Sequence, residues 1–270
     1  MHSAAFAELG MKDWSYEAIE VSPSGFEALV RELPGRGFAG VNVTVPHKLA
    51  ALGLADRASP AASGIGAANT LSFSDGLIAA DNTDAAGLLA ALGRSPRGSA
   101  ALVLGAGGSA RAAVWALSDA GAEVSVFNRT RARAESLASE LGARLVDPPS
   151  GEGPLDVEPY GLIVNATSVG LENANSPARE AVIAERLARA DLKALRIDAD
   201  ALSEGKTVVD LVYGKRETAL VSAARRRRAR VVEGIEVLVG QGAESFRIWT
   251  ALEPPVSSMR SAALSGAQVL

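Results

Sequence analysis

The residues most able to do chemistry lie in Asn42-Val-Thr-Val-Pro-His-Lys48 and Asp81-Asn-Thr-Asp84. A lysine just past a strand-like run, with an aspartate to face it, makes a pair that can hold and pass a proton. Further along, Leu102-Val-Leu-Gly-Ala-Gly-Gly-Ser-Ala110 carries a glycine-rich turn between an apolar run and an Ala-rich helical stretch. Glycines there permit a tight turn and bring backbone N–H groups close to a pyrophosphate at a helix N-terminus. A proton relay followed by a phosphate cradle points to an oxidoreductase that delivers a hydride and a proton to one carbonyl.

Short β-branched runs at 40–45, 100–104, 123–127, 162–165 and 207–212 read as buried parallel strands. Helical stretches at 109–120 and 131–141 lie between them, and each stops at a glycine, Gly121 and Gly142. Strand–helix–strand alternation predicts an α/β fold whose parallel sheet has right-handed crossovers. Pro46 cannot donate to a ladder, so it should end its strand and leave Lys48 at the strand's C-terminal end. Residues 93–99 read as a linker, 148–154 as a loop, and Glu253-Pro-Pro255 as a break between two C-terminal helical segments.

The glycine turn departs from a strict G-x-G-x-x-G, because Ala110 holds the third position. The next strand ends in Asn128-Arg129-Thr130, where an NAD enzyme would carry an acid for the ribose hydroxyls. An arginine there suits the 2′-phosphate of NADP, and Arg133 lies one helical turn on. The alternative is that both arginines form a solvated face. His47 reads as a packing residue. The polar groups of Asn69-Thr70 and Asp81-Asn-Thr-Asp84 suit a polyhydroxylated substrate, or else turn and cap chemistry. Arg225-Arg-Arg-Arg228 would spread around a helix rather than form one stripe, so it reads as a solvated helix end.

Bulk composition excludes several classes. The chain has 270 residues, 48% hydrophobic and 21% charged, with net charge −4. That balance gives no reason to expect nucleic acid or a membrane surface as a partner. With no cysteine and two histidines, thiolate catalysis is excluded and a metal site is not expected. The expectation is a soluble cytoplasmic protein.

Taken together, the motifs resemble the shikimate dehydrogenase family. The matching stretches are Asn42-Val-Thr-Val-Pro-His-Lys48, Ile65-Gly-Ala-Ala-Asn-Thr70, Asp81-Asn-Thr-Asp84, Gly105-Ala-Gly-Gly-Ser109, Asn128-Arg-Thr130, Asn165-Ala-Thr-Ser168, Asp210-Leu-Val-Tyr213 and Gly240-Gln-Gly-Ala243. They stand in family order over nearly the whole chain. The resemblance implies NADP-linked interconversion of 3-dehydroshikimate and shikimate, with Lys48 and Asp84 as the catalytic pair. It implies that Thr44, Asn69, Tyr213 and Gln241 contact the substrate's hydroxyls and carboxylate. The cofactor would meet Gly105, Ala106, Gly107, Gly108 and Ser109, then Asn128, Arg129, Thr130 and Arg133, and also Thr167. Leu211 and Gly234 would approach its nicotinamide end.

The implied architecture is a substrate-binding domain over 1–88 and a Rossmann-type NADP-binding domain over 89–236. C-terminal helices over 237–270 would return to the first domain, with a homodimer as the assembly considered. Three departures stand out. Members carry a strand and a Ser-x-Ser motif ahead of the helix that Met1-His-Ser-Ala-Ala-Phe6 resembles. Without them, weaker substrate affinity and an unpaired sheet edge are expected. Gly214-Lys215 replaces a common Asn-Pro, and Arg228 stands where a helix-ending glycine is usual. Three alternatives stay open: a quinate/shikimate dehydrogenase, a paralogue acting on an amino analogue, and a non-catalytic NADP-binding module. Arg129 disfavours an NAD-preferring quinate enzyme.

Overall fold

In the computed structural model, which describes residues 1–148, 151, 153–175 and 181–269, two sheets carry the segments singled out above. The first contains β1 (Gly40–Asn42), β2 (Arg57–Ala58), β3 (Thr70–Ser74) and β4 (Leu77–Asp81), in the order β1-β3-β4-β2. Helices α1 (His2–Glu8), α2 (Phe26–Glu32), α3 (Lys48–Gly53) and α4 (Pro60–Ile65) accompany it. The β3–β4 hairpin turns on Asp75 and Gly76, with φ of 53° and 75°. Asp-Gly tolerates two successive left-handed residues, and such a turn matches the twist of its strands.

The expected parallel strand at 40–45 is corrected on two counts. It ends at Asn42, and it pairs antiparallel with β3. Nor does Lys48 close a strand, since it opens α3. The cause is local. The Val43 N–H still bonds the Asn69 carbonyl at 2.7 Å, but the His47 N–H turns back to the Thr44 carbonyl at 2.9 Å. With Pro46 contributing no donor, the ladder cannot continue and a helix starts instead.

The second sheet is wholly parallel. It runs β10-β9-β8-β5-β6-β7, from β5 (Ala100–Leu104), β6 (Glu123–Phe127), β7 (Arg144–Leu145), β8 (Leu162–Asn165), β9 (Thr207–Asp210) and β10 (Arg230–Glu233). Its helices are α5 (Thr83–Leu92), α6 (Gly108–Asp119), α7 (Arg131–Leu141), α8 (Leu171–Asn175), α9 (Ala181–Leu195) and α10 (Ala219–Arg226). Alternation along the strands feeds two cores. Val103, Val126, Val164 and Val209 pack against Leu88 and Val114 on one face. Leu102, Leu104, Ile163 and Val208 pack against Leu195 and Leu220 on the other. Strands buried on both faces explain the continuous apolar runs. The expected loop at 148–154 lies partly outside the described residues.

The chain then returns through α11 (Gly234–Thr250) and α12 (Val256–Val269), separated at the expected Glu253-Pro-Pro255. A Cβ added at Gly87 of α5 would fall 2.6 Å from the Gln241 nitrogen, and one at Gly240 would fall 3.0 Å from the Gly87 Cα. Glycine on both helices therefore permits a very close crossing. At its far end, α11 reaches the first sheet, where the Trp249 indole N–H donates to the Leu71 carbonyl at 3.0 Å. Phe246 and Met259 bury against Ala5 and Phe6 of α1, so the C-terminal helices close over the N-terminal one.

Helix α10 ends as a left-handed cap on Arg228, with φ of 63°. The Ala229 N–H bonds the Ala224 carbonyl at 3.0 Å, closing the last turn. A side chain in that conformation costs about 1–2 kcal/mol. Arg228→Gly should therefore raise the unfolding free energy by about 0.5–1 kcal/mol, after the glycine's extra chain entropy is subtracted. Urea denaturation of the two proteins measures it, and an unchanged or lower midpoint would contradict the strain.

Candidate active site

Lys48 and Asp84 meet between the two sheets. Lys48 Nζ lies 2.5 Å from Asp84 Oδ2 and 3.4 Å from Ser109 Oγ. Lys48 is buried, and Asp84 sits in the first turn of α5. The Asn82 side chain caps that helix by accepting the Asp84 N–H at 3.2 Å. A carboxylate there is also favoured by the helix dipole. The second Asp84 oxygen accepts from Asn69 Nδ2 at 2.8 Å. A partly dry ion pair recovers its desolvation cost only when further hydrogen bonds complete it, and Asn69 and Ser109 do so here.

Asn69 organises the polar wall. Its Oδ1 accepts the Thr83 N–H at 2.7 Å, and its Nδ2 lies 3.3 Å from Gln241 Oε1. Gln241 is delivered by the Gly87–Gly240 crossing. Thr44 is exposed on the loop after β1. Tyr213 is 43% exposed, and partial burial followed by the nearby Asp84 charge pushes its phenol up from the ordinary value. These residues line one cavity of about 460 Å³ with Lys48, Asp84, Ser109, Leu211 and Gly234. The cavity also takes in Asn42 and Tyr16, which motif reading did not assign. The Tyr16 hydroxyl donates to Asn42 Oδ1 at 2.9 Å, and its ring stacks on His2 at 4.3 Å. The signal for Asn42 was its place at the head of the lysine motif, whereas nothing in the sequence marked Tyr16. His47 packs, stacked on Phe26 with its ring bonded to the Val21 carbonyl.

The glycine turn borders the lysine directly. A Cβ on Gly108 would stand 3.0 Å from Lys48 Cδ. Gly105 has φ of 118°, and a Cβ there would strike the Ala166 carbonyl at 2.8 Å. Gly107 caps α6 without a side-chain hydrogen bond, so the first N–H groups of that helix remain available to an anion. Ala106 and Thr167 flank the turn, and Thr167 Oγ1 donates to Asn165 Oδ1 at 2.7 Å. Elsewhere in the cavity lining, Gly234 lets α11 begin against Leu211, because a Cβ would sit 2.7 Å from the Leu211 carbonyl.

Asn128, Arg129, Thr130 and Arg133 lie at the far end of β6 and in α7, away from the main cavity. Asn128 Nδ2 donates to the Thr130 carbonyl at 2.9 Å, which shapes this turn. Arg129 and Arg133 are exposed and make no side-chain ion pair among the described residues. Arg131 between them is held by Glu135 and Asp147.

A doubly wound parallel sheet with a glycine turn at its centre, set against a second sheet, with a lysine at the start of α3 meeting a carboxylate at the start of α5 between them, defines a two-domain oxidoreductase with a dinucleotide-type fold. The chain belongs to the shikimate dehydrogenase family. Family models match the shikimate dehydrogenase substrate binding domain over 1–71, shikimate/quinate 5-dehydrogenase over 90–168, and the shikimate 5′-dehydrogenase C-terminal domain over 234–264. The shikimate dehydrogenase (NADP(+)) of Methanothermobacter thermautotrophicus is 39% identical, over 97% of this chain and 89% of its own. A shikimate 5-dehydrogenase of Thermus thermophilus, solved with NADP(H) and shikimate, superposes with a TM-score of 0.81 at 39% identity, covering 97% of this chain and 91% of that one. A 5-ketofructose reductase of Gluconobacter, at 25% identity, gives 0.76 over 98% and 91%. The architecture is thus shared with a reductase of a different name, and substrate choice must be read from side chains. No helix among the described residues is long and apolar enough to cross a membrane.

Burial depresses His2 to about 4, from an ordinary 6.5. It lies on the cavity wall with its Nε2 3.3 Å from Ser245 Oγ. The folded protein keeps this imidazole neutral while the unfolded chain protonates it below about pH 6.5. Its stabilisation is therefore complete above that pH and is lost as pH falls toward 4. Between pH 7 and pH 5 the loss should be about 2 kcal/mol. Unfolding free energies at the two pH values, compared with His2→Gln, test this. An identical pH dependence in both proteins would remove His2 as its source.

Proposed function

We propose that the chain is an NADP-linked shikimate dehydrogenase that interconverts 3-dehydroshikimate and shikimate, a step of chorismate and aromatic amino-acid biosynthesis. One observation carries the reading. The Lys48 ammonium, held 2.5 Å from Asp84, stands against the glycine turn inside a cavity walled by amide, hydroxyl and carboxylate groups. The cofactor fits what surrounds it. The uncapped start of α6 suits a pyrophosphate, and Arg129 and Arg133, without an ion-pair partner among the described residues, suit a 2′-phosphate.

When bound, the nicotinamide exchanges a hydride with the substrate's carbinol carbon. The chain's own residues do the rest. In reduction, Lys48 Nζ gives a proton to the ketone oxygen as the hydride reaches carbon, so that C=O becomes CH–OH. In oxidation, the same nitrogen takes the hydroxyl proton. Asp84 orients the ammonium and balances its charge. Asn69, Thr44 and Gln241 receive the ring hydroxyls, and Tyr213 donates to the carboxylate. Leu211 and Gly234 shape the apolar floor beneath the reacting ring. The functional units are 1–88 for substrate, 89–236 for cofactor and 237–270 as the helical return. A cytoplasmic enzyme acting on a free small molecule, alone or as a homodimer, completes the proposal.

Two substitutions test separate halves of the reading. Lys48→Ala should lower kcat for shikimate oxidation by about 10²–10⁴-fold and move KM by no more than a few fold, because proton transfer acts in the transition state. A variant that keeps most of its kcat would take Lys48 out of the mechanism. Arg129→Ala should weaken NADP binding by about 1.5–3 kcal/mol and leave NAD binding nearly unchanged. Fluorescence titration with both cofactors reads the difference, and equal losses would defeat 2′-phosphate selection.

A further inference from the structure

Asp210 ends β9 and is fully buried. Three uncharged donors from three places fill its oxygens. Asn165 Nδ2, at the end of β8, donates to Oδ1 at 2.8 Å, and the Val212 N–H donates to the same oxygen at 3.1 Å. Thr218 Oγ1 donates to Oδ2 at 2.5 Å. Each side-chain donor is committed elsewhere too. Asn165 Oδ1 accepts the Thr167 N–H and hydroxyl at 3.1 and 2.7 Å. Thr218 Oγ1 caps α10 by accepting the Val221 N–H at 3.2 Å.

No cation faces this carboxylate among the described residues. The charge acting on it is Asp191 of α9, of like sign, while Glu233, its register partner on β10, is taken by Arg225. Burial accordingly pushes Asp210 up to about 6. A buried charge without a counter-ion is costly, and an asparagine would fill the same volume without it. An asparagine, however, presents one acceptor atom: with it turned to Asn165 and Val212, its NH₂ faces Thr218 Oγ1 and leaves that hydroxyl's proton without an acceptor. Only a carboxylate matches all three.

Those donors bracket one segment, residues 211–218. Val212 is bound at its start and Thr218 at its end, with Tyr213 and Leu211 between them and the cavity. We propose that Asp210 is a positioning residue. It clamps both ends of this segment and so fixes Tyr213 over the substrate, without touching substrate or Lys48 itself. The inference rests on Tyr213 being a substrate donor, as read above.

Asp210→Asn should raise KM for shikimate about tenfold, the affinity carried by one well-placed hydrogen bond. It should leave kcat within about threefold, because Lys48 and Asp84 are untouched. Thr218→Val should do the same, and Thr218→Ser, which keeps the hydroxyl, should restore wild-type KM. A second readout needs no substrate. Lys215 and Arg216 are exposed within the segment, so trypsin should cut there about tenfold faster in Asp210→Asn under native conditions. Leu117→Ala, a buried change in α6, should lower stability without speeding that cut.

If Asp210→Asn keeps the wild-type KM and cleavage rate, the clamp is wrong. A tenfold KM with Thr218→Ser no better than Thr218→Val would also overturn it. Should Asp210→Asn fail to fold, the Thr218 pair decides on the same readouts. If the wild type does not turn over shikimate while the cut still accelerates, the clamp stands and the substrate reading falls.

Discussion

The contact between the Lys48 ammonium and the Asp84 carboxylate sets the terms for everything around it. Two charges out of bulk water are stable only when their remaining hydrogen-bonding capacity is met by groups that cannot drift. That requirement explains why Asn69 faces both Asp84 and Gln241, and why Thr83 and Asn82 pin the start of α5. The lysine comes from the start of α3, the aspartate from α5 after the first sheet's hairpin, and Ser109 from the first turn of α6. An ion pair assembled from three elements is also a bolt between the two halves of the molecule.

Glycine supplies the second constraint, through space rather than charge. Gly108 lets Lys48 lie against the turn, Gly87 and Gly240 let α11 cross α5, and Gly234 lets α11 start against Leu211. Each is a site where a methyl group would collide with backbone or with the Lys48 side chain. The cavity's dimensions are thus set by absent side chains, and its chemistry by the few polar groups admitted through those gaps. The same logic separates the arginines at the end of β6. Arg131 is neutralised by Glu135 and Asp147, while its neighbours Arg129 and Arg133 make no side-chain ion pair among the described residues.

Much of this was legible in the sequence, and the limits have physical causes. The parallel strands 100–104, 123–127 and 162–165 were readable because burial on both faces leaves an unbroken apolar run, and they match β5, β6 and β8. The run 40–45 looked the same, yet it belongs to an antiparallel edge. Pairing direction depends on which distant strand arrives, here β3, and leaves no local mark. The Asp75-Gly76 turn was a local signal that went unread. The two-residue strands β2 and β7 are too short to carry a period. Lys48 and Asp84 were visible as chemistry, but not as a helix start answering a helix start. Tyr16 and His2 were invisible because their importance comes from stacking across a distance in sequence.

The buried carboxylate Asp210 shows where reading by motif runs out. In sequence it is one letter of Asp210-Leu-Val-Tyr213, next to residues that reach the cavity, and it invites a ligand-binding role. In space it does not line the cavity but meets donors at the end of β8 and at the cap of α10. A negative charge facing neutral dipoles alone is stable only if those dipoles stay put, and it fixes them because moving any one of them strands the charge. The energetic liability and the rigidity are the same fact. The segment 211–218, which carries Tyr213 to the cavity, gains in rigidity what the rest of the fold gives up in stability. The residue's value therefore lies in what it immobilises, the segment that follows it in the chain.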